Sequence, residues 1–325
     1  MNRMPPMQRR PFLATAGALA AATALPGAFA QTWPAKPVRI VHGYDSGSNP
    51  DTVARAMSQA LSERLGQPIV IEPRPGAGGR IATAYVLTQE PDGHTLMMLT
   101  AGDGVLAATD PTLPYDLAKD YAFITTVIQF PFVIMVKPDS PLRTMGDALD
   151  AAKKNPGKLT FATPGVRTTQ HLAGELIKAG AGVDMLHVPF KGTSFQDLIG
   201  GRVDMLIAAP AISLPQIRAG AVRAIAVTAR SRMESLPAVA TVGETLAGFE
   251  VSSWLGLGAP AKTPAAALAR LNADVRHVLG QEAVRSRLLA IGSEPAGGTA
   301  EEFRLRVETD IRKWRELART AKLDG

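Results

Sequence analysis

The sequence predicts an α/β protein of two domains, each a mostly parallel sheet flanked by helices. Three observations lead there. Short β-rich runs alternate with amphipathic helical patterns along almost the whole chain. Removing the first 30 of 325 residues leaves 295, at the upper end of the roughly 250–300 residues at which a single core stops growing. Apart from the first 30 residues, no internal repeat or low-complexity stretch interrupts the alternation.

The first 30 residues read as an export signal. Arg9-Arg10 stands ahead of an alanine-rich apolar stretch, and Ala28-Phe29-Ala30 offers a small-x-small cleavage site before Gln31. The paired arginines favour the twin-arginine route. The apolar run reaches only about 13 residues before Pro26, too short for a spanning helix of roughly 20. The mature protein is therefore expected in the periplasm, cut at about Ala30.

Residues 38–41 form the first expected strand, followed by a polar loop over 43–51. Val53, Met57, Leu61 and Leu65 then repeat at helical spacing, with Gly66 placed to end the helix. Strands are expected at 68–71 and 95–99. A second set follows at 132–136, 158–162, 185–188, 203–207 and 222–227, and the chain extends again at 251–257. Thr263-Pro264 reads as an N-cap with proline at the first helical position, and Thr299-Ala300-Glu301-Glu302 as a capping box opening the last helix.

In open parallel sheets, ligands sit beyond the carboxyl ends of strands, where the next helix presents unpaired N–H groups and a partial positive charge. Three segments fit. Gly47-Ser48-Asn49 precedes Pro50-Asp51, Thr100-Ala101-Gly102-Asp103-Gly104 follows the third strand, and Thr163-Pro164-Gly165-Val166-Arg167-Thr168-Thr169 leads into a helix bearing His171. Hydroxyls and free amides beside Arg167 suit a carboxylate. The same residue types also make ordinary turns and caps.

Several function classes are disfavoured. The signal carries three of the 35 basic residues and no acid, which leaves 32 against 29 acidic ones. With no basic run interleaved with aromatics, nucleic acid is not an expected partner. No cysteine is present and the five histidines never form a metal-binding spacing, so neither metal nor cofactor is expected. Gly76-Ala77-Gly78-Gly79 breaks the dinucleotide fingerprint at Ile81, Lys191-Gly192-Thr193-Ser194 lacks the earlier glycine of a P-loop, and no Gly-x-Ser-x-Gly elbow exists. No catalytic residue is expected.

Ordered motifs then resemble one family along the whole mature chain. Residues 33–41 (WPAKPVRIV) resemble the mature start of the Bug proteins, the extracytoplasmic solute receptors of tripartite tricarboxylate transporters, and residues 66–79 (GQPIVIEPRPGAGG) their most recognisable stretch. PDGHTL at 91–96, PYD at 114–116, HLAGEL at 171–176, HVPFKG at 187–192, GGRVD at 200–204, GFEVSSW at 248–254 and PAKTP at 260–264 follow in order.

The resemblance implies a two-domain periplasmic-binding fold of type II-like architecture that closes on a small carboxylated solute. It also implies delivery to a large and a small membrane subunit of a secondary transporter, by a receptor expected to be a monomer. With extended segments near 124–132 and 251–258, it implies one domain from residues 31–128 plus 252–325 and another from 129–251. Its ligand loops fall on Tyr44, Asp45, Ser46, Gly47 and Ser48, on Thr100, Ala101, Gly102 and Asp103, on Thr163, Gly165, Arg167, Thr168 and Thr169, and on Ala208-Ala209, where the family commonly has Asp-Asn. Arg167 stands where a small residue is common, and is expected to clamp a ligand carboxylate. A sensor without a permease and a periplasmic enzyme on this scaffold are the alternative functions, separated from the first by an adjacent sensor kinase or by turnover of the bound ligand.

Overall fold

The computed structural model describes Met1, residues 33–192 and residues 194–321, with side chains through 316. The expected export signal and its cleavage site lie outside the described residues. In chain order the first elements are β1 (Val38–His42), α1 (Asn49–Leu65), β2 (Ile69–Pro73), α2 (Arg80–Leu87), β3 (Thr95–Thr100), α3 (Ala101–Thr109), α4 (Leu117–Asp120) and β4 (Tyr121–Pro131). β5 (Val133–Val136), α5 (Met145–Lys154), β6 (Thr160–Thr163), α6 (Thr169–Ala181), β7 (Leu186–Pro189), α7 (Phe195–Ile199), β8 (Met205–Ala208), α8 (Pro210–Arg218) and β9 (Arg223–Val227) follow. The chain ends through β10 (Ser252–Pro260), α9 (Ala265–Gly280), α10 (Glu282–Ala290), β11 (Glu294–Gly297) and α11 (Ala300–Ala321).

Helix α1 shows how sequence becomes structure here. Val53, Met57 and Leu61 are fully buried and Leu65 nearly so. Each such side chain contributes about 1.5–3 kcal/mol on leaving water, which outweighs the weak intrinsic preference of the helix. Gly66 adopts φ 70° and its N–H bonds to the Ser62 carbonyl, a left-handed termination that costs glycine little. The capping box at Thr299 is formed, with its N–H 2.7 Å from a Glu302 carboxylate oxygen and its hydroxyl accepting from the Glu302 N–H at 3.1 Å. Pro264, expected at the first helical position, instead caps α9.

Two sheets result, one ordered β11-β4-β10-β3-β1-β2 and the other β7-β6-β8-β5-β9. Both are mixed rather than mostly parallel. β1 pairs parallel with β2 and β3, and β6 parallel with β7 and β8. β10 runs antiparallel to β3 and β4, β11 to β4, and β5 to β8 and β9. The reason is the chain path. β4 leads out of the first sheet into β5 of the second, and β10 brings the chain back alongside it, so the two lie side by side in opposite directions from Ser252↔Pro131 to Pro260↔Tyr121.

Thr228 holds the two crossings together. Its hydroxyl accepts the Phe132 N–H at 2.8 Å and donates to the Val251 carbonyl at 2.6 Å. Its own N–H donates to the Phe132 carbonyl, and the Val251 N–H donates to its carbonyl, both at 2.9 Å. The side chain is wholly buried, so these bonds form away from competing water.

Candidate functional site

A cavity of about 410 Å3 is lined by residues from turns of both sheets, within the roughly 300–1,000 Å3 usual for small-molecule sites. Its wall comes from helix starts of both halves. Tyr44 to Pro50 and Thr52 come from the turn into α1, and Thr100 and Gly102 from the start of α3. Pro164, Thr169 and Gln170 come from the turn into α6, Gly192 and Phe195 from the turn into α7, and Ala209, Ala211, Ile212, Pro215 and Gln216 from α8. The crossing strands add Phe130, Ser253 and Leu255. The first N–H groups of a helix have no partner within it, and the helix carries about half a positive charge at that end. Starts converging on one cavity therefore make an anion site without a basic side chain. Among the cavity-wall residues no Lys, Arg or His occurs.

The first turn is held by Asp51. Its carboxylate accepts from the Gly47 N–H at 2.9 Å and from Arg55 Nε at 2.8 Å, and lies 3.3 Å from Nε2 of buried His42. Burial pushes the Asp51 carboxyl up, but the bonds from Arg55 and Gly47 outweigh it and leave the pKa below the ordinary value. His42 is shifted down, chiefly by burial and against the pull of Asp51. Ser48 caps α1 with backbone alone. The Ser48 hydroxyl and both amide atoms of Asn49 are buried and lack a hydrogen-bond partner among the described residues. Polar atoms left so inside a protein cost about 1–3 kcal/mol each, a cost that a polar ligand in the cavity removes. The Thr169 hydroxyl on the opposite wall is in the same state.

Tyr44 faces the cavity with its phenol pushed up to about 12 by burial and by the charge of Asp103. It is held as a donor, with Oη 3.5 Å from the Gly78 carbonyl. Asp103 is fully used elsewhere. Its carboxylate accepts from the Thr100 N–H at 2.7 Å and from the Thr83 hydroxyl at 2.8 Å, and burial raises its pKa.

Of the ligand residues expected from sequence, Tyr44, Asp45, Ser46, Gly47, Ser48, Thr100, Gly102, Thr169 and Ala209 line the cavity. Ala101, Asp103, Thr163, Gly165, Arg167, Thr168 and Ala208 are not among its wall residues. Ala101 and Ala208 are buried in the core. Thr163, Gly165 and Thr168 frame the turn from within, because both threonine hydroxyls donate to the Gly165 carbonyl, at 3.1 and 2.9 Å. The Thr168 hydroxyl also accepts the His171 N–H, capping α6.

Arg167, expected to clamp a ligand carboxylate, is not among the cavity-wall residues. The residue sits at φ 59°, its N–H bonds to His171 Nδ1 at 3.2 Å, and its guanidinium lies 3.8 Å from Asp110, which caps the C-terminal end of α3. Asp110 also receives Arg80 at 3.1 Å. The turn geometry thus directs Arg167 to an acid of the opposite half rather than into the cavity.

Beneath this turn His171 and His187 stack with ring centroids 4.0 Å apart, and His187 stacks on Phe161 at 4.9 Å. The Thr163 hydroxyl contacts His187 Nε2 at 2.7 Å. Burial first, then the neighbouring charges of His171 and Lys178, push His187 down to about 3. The stack is therefore neutral at neutral pH.

Asn49 belongs to the first segment singled out from sequence. Sequence reasoning missed Gln170, which directly follows an expected site residue at a helix start. It also missed Phe130, Ser253 and Leu255, whose place depends on where the crossing strands pass the cavity. Among the described residues no group of acids and histidines is arranged to hold a metal, and no helix is long and apolar enough to cross a membrane.

Comparison with known proteins widens this picture. The family model for the tripartite tricarboxylate transporter family receptor matches residues 53–323. The "UPF0065 protein in tcbD-tcbE intergenic region" of Pseudomonas sp. (strain P51) is 36% identical over 88% of this chain and 86% of its own. The solved structure of R. palustris Rpa4515 with adipate is 34% identical, with a TM-score of 0.85 over 89% of this chain and 98% of that one. MatC (Rpa3494) from Rhodopseudomonas palustris with bound malate is 31% identical, with a TM-score of 0.82 over 88% and 99%. The architecture is thus the two-domain α/β fold of periplasmic binding proteins.

Proposed function

The chain belongs to the receptor family of tripartite tricarboxylate transporters, and from that premise we propose that it is a periplasmic solute receptor rather than an enzyme. It captures a small carboxylated metabolite in the cavity between its sheets and delivers it to a large and a small membrane subunit. One observation carries the reading. Helix starts from both halves converge on a single cavity whose wall holds buried, unpartnered polar groups on Ser48, Asn49 and Thr169. Carboxylate oxygens accept from such N–H and hydroxyl donors, and the charge-assisted bonds are shorter and stronger than neutral ones.

The two lobes are residues 31–128 with 252–325, and 129–251. The membership of the two sheets supports this division apart from the end of β4, which stays in the first sheet to Pro131, and the paired crossings at Thr228 serve as the hinge on which the lobes close. The adipate and malate bound by two similar proteins support a carboxylate as the ligand class. The protein acts as a monomer in the periplasm, after removal of residues 1–30.

Native mass spectrometry of protein purified from its own periplasm, followed by calorimetry with the recovered solute, tests the proposal. A copurified carboxylate that binds one-to-one and is released unaltered supports it. Chemical conversion of that solute during incubation would overturn the receptor reading in favour of catalysis.

A further inference from the structure

Resting on the carboxylate-receptor reading, we propose that this receptor selects solutes with a single carboxylate, and that Asp45 rejects a second carboxylate and favours a hydrogen-bond donor or cation at the far end of the solute. Three features of the cavity lead there.

The first is charge. Asp45 is the only ionisable acid or base on the wall apart from the phenol of Tyr44. The helix starts and the free groups of Ser48, Asn49 and Thr169 suit one anionic end. No Lys, Arg or His lines the wall to receive another.

The second is the state of Asp45 itself. Its backbone carbonyl accepts the Ser48 N–H at 3.1 Å, which closes the turn, but its carboxylate has no hydrogen-bond or ion-pair partner among the described residues. Lys191, the residue before Gly192, makes no ion pair with it. The carboxylate instead reaches across to the opposite half, where a Cβ built on Gly192 would stand 2.7 Å from Oδ2. A side chain at 192 would push this carboxylate aside. The absence of one leaves Asp45 free to stand at the meeting of the two halves, against Gly192.

The third is the surface that remains. Phe195, Ala211, Ile212 and Pro215 on one side, with Phe130 and Leu255 between the halves, form an apolar lining. A solute whose carboxylate lies at the helix starts has its body against this lining. A second carboxylate there is either stripped of water against apolar groups or brought up to Asp45, and both are unfavourable. An ammonium or hydroxyl meets an acceptor instead.

Three six-carbon probes isolate the effect, because they differ only at the far end: adipate, hexanoate and 6-aminohexanoate. Calorimetry on the full mature chain should show 6-aminohexanoate binding at least about tenfold more tightly than adipate, with hexanoate between them. Asp45→Asn should weaken 6-aminohexanoate by roughly tenfold and strengthen adipate, and Asp45→Lys should make adipate the best of the three. Because Asp45 is exposed and its side chain makes no bond, both variants should keep the wild-type unfolding midpoint. Adipate as the tightest ligand of the wild type, or affinities for all three that Asp45→Asn leaves unchanged, would overturn the selectivity while leaving the receptor reading intact. Binding of none of the three to the wild type, when the solute recovered from the periplasm carries no carboxylate, would overturn both.

Discussion

The two walls of the cavity are built alike and lined differently. Each is a row of strand-to-helix turns, yet the first offers Tyr44, Asp45, Ser46, Ser48, Asn49 and Thr100, while the second offers mainly Pro164, Phe195, Ala209, Ala211, Ile212 and Pro215 around Thr169 and Gln170. The shared backbone geometry supplies anion-binding N–H groups on both sides. In the proposed reading side chains then divide the remaining work: the polar wall orients the solute and the apolar wall accepts its body. A fold can thus keep its general affinity for carboxylates while its selectivity is rewritten at a few exposed turn positions.

The largest effect should come from blunting the polar wall. Asn49→Leu keeps the approximate size of the side chain and removes both unpartnered amide atoms. Only Nδ2 can donate to a carboxylate, and such a bond to a charged ligand contributes roughly 1.5–3 kcal/mol, so the affinity of the copurified carboxylate should fall by about tenfold to a hundredfold. Calorimetry at equal protein stability checks this. An unchanged affinity would mean that the helix starts alone hold the anion.

Trimming the apolar wall should cost less. Ile212→Ala removes about three carbon groups from a partly buried position, and at roughly 0.8 kcal/mol per fully buried group the part covered by ligand amounts to a threefold to tenfold loss. The binding heat capacity should also become less negative, because less apolar surface is covered. If Ile212→Ala weakens binding more than Asn49→Leu does, the division between the walls is reversed.

Acid should destabilise the second half through His187. His187 has a folded pKa lowered to about 3 against roughly 6.5 in an unfolded chain, so the unfolded state binds more protons between those values. The stabilising contribution is complete above about 6.5 and is lost as pH falls toward 3. Urea midpoints of the wild type should therefore drop between pH 7 and 4 more steeply than those of His187→Gln. Equal slopes would show that the histidine stack is not what makes this half sensitive to acid.

The smallest effect is expected from Arg167→Ala. Its guanidinium lies 3.8 Å from Asp110 and is not part of the cavity wall. Affinity for the carboxylate should stay within roughly fivefold of wild type. A hundredfold loss would restore the arginine as a ligand clamp.

Much of this architecture was legible in the sequence, for reasons that differ by element. The face of α1 announced itself through Val53, Met57, Leu61 and Leu65, because burial at helical spacing is a local signal. Gly66 and the Thr299 capping box were legible for the same reason, since a cap depends on residues within a few positions. The antiparallel course of β4 and β10 was not legible. Strand periodicity records which residues face a core, not which strand lies alongside or in which direction. At the candidate site, the turn residues Ser48, Thr100 and Thr169 could be found from helix-start chemistry. Arg167 and Asp103 could not be assigned, because a charged side chain in a turn points wherever the nearest partner lies. For Arg167 that partner is Asp110 and for Asp103 it is Thr83, both brought in by the fold, although the Thr100 contact of Asp103 is a local capping box.

The central claim is that a solute carboxylate is held between the halves by helix starts without a basic side chain. A crystal structure of the mature protein with its copurified solute tests it most directly. The account predicts a carboxylate within hydrogen-bonding distance of Ser48, Asn49 and Thr169 and of the adjoining backbone N–H groups, with no Lys, Arg or His in contact. A carboxylate paired with Arg167, or a solute bound outside the cavity between the two sheets, would contradict it.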